Sequence, residues 1–124
     1  MLLKLSIVFG ADNSGCSEAK VIQLYSKSPH TQCGELIKVT MKRFDKRRKL
    51  QAKKKYQVIP LNGSIRRKWG IIFRCELTLI VLLTDNMRKL LGTRIYGCTM
   101  KEVNRTPVDR SILQKIRSYA YYTM

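Results

Sequence analysis

Along the first two-thirds of the chain, apolar and polar side chains alternate in short runs, the period of half-buried β-strands. Leu3, Leu5, Ile7 and Phe9 alternate with Lys4, Ser6 and Val8 up to Gly10, which predicts a first half-buried strand on that apolar set. Asp12-Asn13-Ser14-Gly15 supplies side chains that bond their own backbone and a glycine that tolerates positive φ, hence a tight turn. Val21, Ile22, Leu24 and Tyr25 predict a second strand, and residues 26–34, with Pro29, a loop. Residues 36–44 alternate cleanly, with Ile37, Val39 and Met41 on one face and Lys38, Thr40 and Lys42 on the other. Residues 56–61 form the fourth predicted strand, which Pro60 places at an edge or an end. Asn62-Gly63 reads as a hairpin-type turn. Ile65 then leads into Arg66-Arg67-Lys68-Trp69-Gly70, and residues 71–74 and 77–83 give the last long strand or pair of strands.

Beyond this the period changes. Asn86 is placed to cap a short helix through Leu91, stopped by Gly92. Thr106-Pro107-Val108-Asp109 is a stronger helix start, with Thr106 as cap, Pro107 at the first helical position and Asp109 facing the exposed amides. Ile112, Leu113, Ile116 and Tyr119 or Ala120 follow at helical spacing as one apolar stripe. The expectation is a mainly β fold: a small closed barrel of five or six strands, then one or two short C-terminal helices. Closure suits so short a chain because it removes edge strands that would otherwise aggregate. With 124 residues the chain fits one domain, 1–124, with a helical extension over about residues 86–124.

Charge sharpens this picture. There are 25 Lys and Arg against 8 Asp and Glu, a net +17 spread over every third of the sequence. The densest stretch is residues 42–55, where nine cations (Lys42, Arg43, Lys46, Arg47, Arg48, Lys49, Lys53, Lys54, Lys55) face one carboxylate, Asp45. Like charge at this density repels itself unless a polyanion lies against it, so the free chain should be less stable than the bound one. Arg66, Arg67, Lys68 and Arg88 extend the footprint, and the pattern points to nucleic acid. Aromatics are few among these cations (Phe44, Tyr56, Trp69, Tyr96), which argues against a row of stacking platforms for single strands. Backbone and shape recognition of folded RNA fits better. For Trp69 two readings stay open, a base-stacking side chain and a half-buried residue on the barrel rim.

Other chemistries find little support. No segment reaches the roughly 18 to 20 apolar residues of a membrane span. The N-terminal apolar run is short and alternating, without a cleavage site or a transit-peptide pattern, so the chain reads as mature from residue 1. Cys16, Cys33, Cys75 and Cys98 lack the paired spacing of a zinc ribbon and are expected as reduced, buried or half-buried thiols. His30 stands alone in its loop, the carboxylates are scattered singly, and no glycine-rich phosphate loop occurs. Neither an enzyme nor a metal or cofactor is expected.

Two strings carry a resemblance. Gly10-Ala11-Asp12-Asn13-Ser14-Gly15-Cys16 closely resembles the Val-Ala-Asp-Asn-Ser-Gly-Ala of the universal large-subunit ribosomal protein L-fourteen family. Gly92-Thr93-Arg94-Ile95-Tyr96-Gly97 is similar to that family's Gly-Thr-Arg-Ile-Phe-Gly, in the same order and at nearly the same separation. Gly34-Glu35-Leu36-Ile37-Lys38-Val39-Thr40-Met41-Lys42 resembles its Gly-Asp-Ile-Ile-Lys-Ile-Thr-Ile-Lys, and Ile80-Val81-Leu82-Leu83 falls where its Val-Leu-Leu stands. Arg66-Arg67 and residues 70–73 match its Arg-Arg-Pro-Asp-Gly-Ser-x-Ile-x-Phe, with a one-residue shortening and with Trp69 where Asp precedes the glycine. Cys98 replaces a proline, Arg74-Cys75-Glu76-Leu77 replaces Asp-x-Asn-Ala, and the basic loop lacks the family's Gly-Lys-Val-Lys-Lys-Gly-Asp spacing.

The resemblance implies a five-stranded barrel with a C-terminal helical extension, bound to large-subunit rRNA and touching neighbouring large-subunit proteins. It further implies a place on the face that meets small-subunit rRNA, contributing to intersubunit bridges, and in some lineages docking of a factor that blocks subunit joining. Asn13 and Ser14 in the first string and Thr93 and Arg94 in the second are its candidate RNA contacts. The divergence points to an organellar copy in a mitochondrial ribosome, with a bacterial or plastid ribosome as the alternative. Two rival readings remain: a free-standing single-strand-binding small barrel, and a basic binder of membrane surfaces or heparin-like polyanions.

Overall fold

A computed structural model of the chain describes residues 2–48, 50–86, 89–105, 108–120 and 122–123. In chain order the strands are β1 (Ile7–Gly10), β2 (Cys16–Leu24), β3 (Ile37–Phe44), β4 (Lys55–Pro60), β5 (Ile65–Arg66), β6 (Ile72–Phe73), β7 (Leu79–Leu82), β8 (Cys98–Thr99) and β9 (Tyr122–Thr123), with one α-helix among the described residues, α1 (Arg110–Tyr119), before β9 and short 3-10 turns at Lys68–Gly70 and Lys101–Arg105. The order β1-β2-β3-β4-β7 closes into a barrel. Neighbours are antiparallel except at the seam, where β1 runs parallel to β7 with Phe9 opposite Leu79 and Gly10 opposite Ile80. Pro60, lacking an amide hydrogen, is tolerated because it ends β4. The fold class is as expected: mainly β, a five-stranded barrel and a short C-terminal helix.

The apolar alternation explains two cores. Val8, Ala19, Val21, Ile37, Val39, Met41, Tyr56, Val58, Ile80 and Leu82 fill the barrel. The opposite faces of β4 and β7 (Ile59, Val81) join Leu61, Leu83, Ile95, Met100, Val103, Ile112, Leu113 and Ile116 in a second cluster outside it. Since β4 and β7 are covered on both faces, β7 is written as an unbroken apolar run, and α1 docks through its three buried residues, Ile112, Leu113 and Ile116. Fully burying each such aliphatic side chain stabilises the fold by roughly 1.5–3 kcal/mol.

Several expectations are corrected. The first strand begins at Ile7, and the position it buries completely is Val8, whereas Leu3, Leu5 and Ile7 are about half exposed or more. Alternation alone could not say which set faced inward, because Val8 is apolar too. Leu5 also breaks the run with φ 69. Asn62-Gly63 is not a hairpin turn. Asn62 is buried, its Oδ1 accepting the Leu79 amide at 2.8 Å, and the hairpin turn lies at Lys68–Gly70 between β5 and β6.

Of the helix expected from Asn86 through Leu91, residues 87 and 88 lie outside the described residues, and 89–91 are not helical. The Thr84 amide donates to the Lys89 carbonyl at 2.9 Å and Leu83 bridges Leu90, so residues 83 and 84 pair with 89 and 90. Leu90 and Leu91 pack against the two cores, and tertiary burial overrides the weak capping signal. Thr106 and Pro107 lie outside the described residues. Helix α1 starts after Asp109, whose carbonyl accepts the Ile112 amide at 3.0 Å, and its apolar stripe stops at Ile116, because Tyr119 is exposed.

Candidate nucleic-acid interface

The two strings that stand 80 residues apart in sequence clasp each other at one end of the barrel. Asp12 bridges Ile95, and the Tyr96 amide donates to the Ala11 carbonyl at 2.6 Å. Asn13 holds the second string from both sides of its amide. Its Nδ2 donates to Thr93 Oγ1 at 2.9 Å, and its Oδ1 accepts the amides of Thr93 at 2.8 Å and Arg94 at 3.2 Å. Gly92 is what allows this approach: a Cβ there would stand 2.9 Å from both Asn13 Oδ1 and Asp12 Cβ.

Asp12 is the pin beneath the clasp. One carboxylate oxygen accepts the Ser14 hydroxyl and the other accepts the Leu82 amide at 3.2 Å, tying the turn to β7. Burial raises the pKa of this carboxyl above its ordinary 3.8, and the hydrogen bonds from Ser14 and Leu82 pull the other way. The turn thus spends Asp12, Asn13 and Ser14 on its own geometry, and what it leaves facing outward is Thr93 and Arg94.

The basic loop docks on the same turn. The Asp45 amide donates to the Gly15 carbonyl at 2.8 Å. Gly15 has φ +100, and a Cβ on it would stand 2.6 Å from Arg48 Cγ, so the loop lies directly over a residue that must be glycine. Asp45, the lone carboxylate of the stretch, accepts the Arg47 amide through Oδ1 at 2.9 Å, and its carbonyl accepts the Arg48 amide at 3.1 Å. It turns the chain so that Lys46, Arg47 and Arg48 all face solvent. Arg47, Arg48 and Lys89 rim a groove of about 470 Å³ whose floor includes Asn13, Thr93 and Leu91. Cations around such a concavity can take phosphate and ribose oxygens.

With this geometry in view, the comparison with known families is decisive: a profile described as ribosomal protein L14p/L23e matches residues 1–122. The chain belongs to that family. It is 35% identical over 123 residues to the large ribosomal subunit protein uL14m of Dictyostelium discoideum, covering 90% of this chain and 95% of that protein. As a member, it is a structural, non-enzymatic constituent of the large ribosomal subunit.

The remaining cations of this family member divide by what they touch. Lys42, Lys53, Lys55, Arg66 and Lys68 are exposed, whereas Lys49 and Arg88 lie outside the described residues. Arg43 lies 3.5 Å from Glu18, and Lys54 Nζ lies 2.7 Å from Asp85. Arg67 is committed inside the molecule. Its guanidinium meets Glu102 with two hydrogen bonds, 2.7 and 3.1 Å, and its carbon lies 4.5 Å from the centre of the Phe73 ring. This joins the β5–β6 ribbon to the segment Lys101–Arg105 and explains why one of three consecutive cations is only partly exposed. Sequence reading missed Asp12 and Glu102 as anchors. A short carboxylate inside a turn offered a signal for the first; the second needed the tertiary fold.

The four cysteines are free; Cys16 and Cys33 are buried and Cys75 and Cys98 half-buried. Burial pushes the thiols of Cys16 and Cys33 up to about 12, so they act as small core residues and not as nucleophiles. Among the described residues no helix is long and apolar enough to cross a membrane, and no group of His, Cys, Asp and Glu could hold a metal ion.

Proposed function

We propose that this chain works as one unit, residues 1–124, that binds large-subunit rRNA through the end of the barrel where the clasp and the basic loop meet. Lys46, Arg47, Arg48, Thr93 and Arg94 supply the central contacts, with Lys42, Arg43, Lys53, Lys54 and Lys55 along the flank of the same loop. The supporting observation is that Asp45, Gly15 and Asn13 hold the backbone that carries Arg47 and Arg48 and the Thr93–Arg94 amides in place by hydrogen bonds internal to the protein. Cations carried on a held backbone meet phosphates without the entropy cost of ordering a loose loop. Asn13 and Ser14 contribute by shaping that surface and Arg67 by bracing the ribbon, while Lys49 and Arg88 add to the positive charge of the chain.

The ribosome is that of a mitochondrion. There the protein abuts neighbouring large-subunit proteins and contributes, with its exposed end, to the face that meets small-subunit rRNA, a surface that also suits a factor blocking subunit joining. Resemblance to the L-fourteen family supports these placements, and so does net charge of +17, which a protein buried among RNA helices tolerates and a free one does not.

Sedimentation tests this reading. Tagged protein should travel with the large subunit through a moderate-salt gradient of mitochondrial lysate and leave it after ribonuclease treatment. A peak at the top of the untreated gradient would favour a free-standing single-strand-binding barrel instead.

A further inference from the structure

The β5–β6 ribbon presents a feature that the barrel-end site does not use. Trp69, at its tip, is 97% exposed and sits in the left-handed region with φ 77. A bulky side chain rarely adopts that backbone conformation, and a water-exposed indole returns nothing to the free protein for doing so. Ile71 and Ile72, beside it, are also more than half exposed. The ribbon residues Ile65, Arg66, Lys68 and Ile72, with Arg74 and Lys101, line a groove of about 790 Å³. Glu102 also lines it, engaged by Arg67. The ribbon is held at its base by the Arg67–Glu102 pair and by the pairing of Ile65 with Phe73 and Arg66 with Ile72, so the tip is displayed on a braced stem.

We infer that this ribbon is a second RNA contact, in which the basic groove takes the sugar-phosphate backbone of a strand and the Trp69 indole stacks on an unpaired base of that strand. The inference rests on the rRNA-binding reading and adds a site to it. Charge selects the occupant. An apolar tip alone would suit a protein pocket, but the ribbon that carries this tip lines a concavity to which Arg66, Lys68 and Arg74 bring positive charge, which an RNA backbone complements. Stacking needs no particular base, since every base offers a π-face, and a cation beside the ring adds to it. The indole is particular to this chain, since the family pattern has Asp where Trp69 stands.

Trp69 is the chain's only tryptophan, so its intrinsic fluorescence reports this position alone. The full-length protein is titrated with large-subunit rRNA while filter binding measures affinity independently. Free protein should emit as a solvent-exposed indole, open to acrylamide. RNA should quench the emission and shield the ring. Trp69→Ala should weaken binding by about tenfold and Trp69→Phe by much less. Neither substitution removes a buried contact, and an unchanged melting temperature will verify that the fold is intact.

RNA binding at full affinity by Trp69→Ala, with the wild-type indole still open to acrylamide, would overturn the inference and leave the barrel-end reading standing. Shielding of Trp69 only on adding large-subunit proteins would overturn it in favour of a protein partner. Failure of the wild type to bind the RNA at all would remove the rRNA reading and this one together.

Discussion

The clasp and the ribbon spend their side chains in opposite directions. At the clasp, Asp12, Asn13 and Ser14 turn their polar atoms inward onto Leu82, Thr93, Arg94 and one another, and the surface is shaped by what they hold. On the ribbon, Arg67 turns inward onto Glu102 and Phe73, and Ile65 and Phe73 pack on the second core, while Arg66, Lys68 and Trp69 face outward. The most distinctive string in the sequence therefore builds geometry, and a less distinctive one offers contact. A motif whose polar atoms are fully used inside the protein cannot be read as a list of ligand contacts.

This contrast can be broken most forcefully at Asn13. Asn13→Ala removes three hydrogen bonds that hold the second string and should lower stability by about 2 kcal/mol, seen as a fall in urea midpoint. A midpoint unchanged from wild type would mean that the strings hold together without it.

At the ribbon the brace ties one short hairpin to the segment Lys101–Arg105, away from the barrel strands, and its effect should be smaller and local. Glu102→Gln should leave the barrel's melting temperature nearly unchanged and raise amide hydrogen exchange a few-fold in β5 and β6, beginning with the Arg67 amide that now donates to the Ile71 carbonyl at 2.9 Å. Equal acceleration throughout the barrel would show that the ribbon is not a separate element.

The smallest effect is protonic. Burial lifts the Asp12 carboxyl above 3.8 in the folded protein, so the unfolded chain releases this proton at lower pH than the folded one. The carboxyl's contribution is therefore complete below pH 3.8 and is lost as pH rises through the folded-state midpoint. Wild type should lose stability relative to Asp12→Asn over that interval, and NMR should place the carboxyl midpoint above the ordinary value. A midpoint below it would mean that the Ser14 and Leu82 hydrogen bonds outweigh desolvation.

Much of the fold was legible because the barrel obeys period two wherever one face meets water. Ile37, Val39 and Met41 announced β3 with its inward face, and Ile112, Leu113 and Ile116 announced the docking stripe of α1. Legibility failed where apolar residues lay on both faces or where a local signal met a stronger tertiary one. Val8 hid among apolar neighbours, Asn62 looked like a turn former until the Leu79 amide reached it, and Asn86 looked like a helix cap until Leu90 and Leu91 were drawn into the cores. At the site, charge density located the basic loop, but no sequence pattern shows that Asp45 folds it onto Gly15 or that Arg67 is already occupied. Those facts depend on which loops the barrel brings together.

The central claim is that cations set in place over the clasp bind rRNA by displacing its counterions. Its most direct test is the affinity of full-length protein for large-subunit rRNA over a salt series, with Arg47→Ala/Arg48→Ala alongside wild type. These side chains are exposed, so stability should stay within about 0.5 kcal/mol of wild type, while the slope of log affinity against log salt should become shallower by about 2. Identical slopes for the two proteins, or a wild-type affinity that barely responds to salt, would contradict the account.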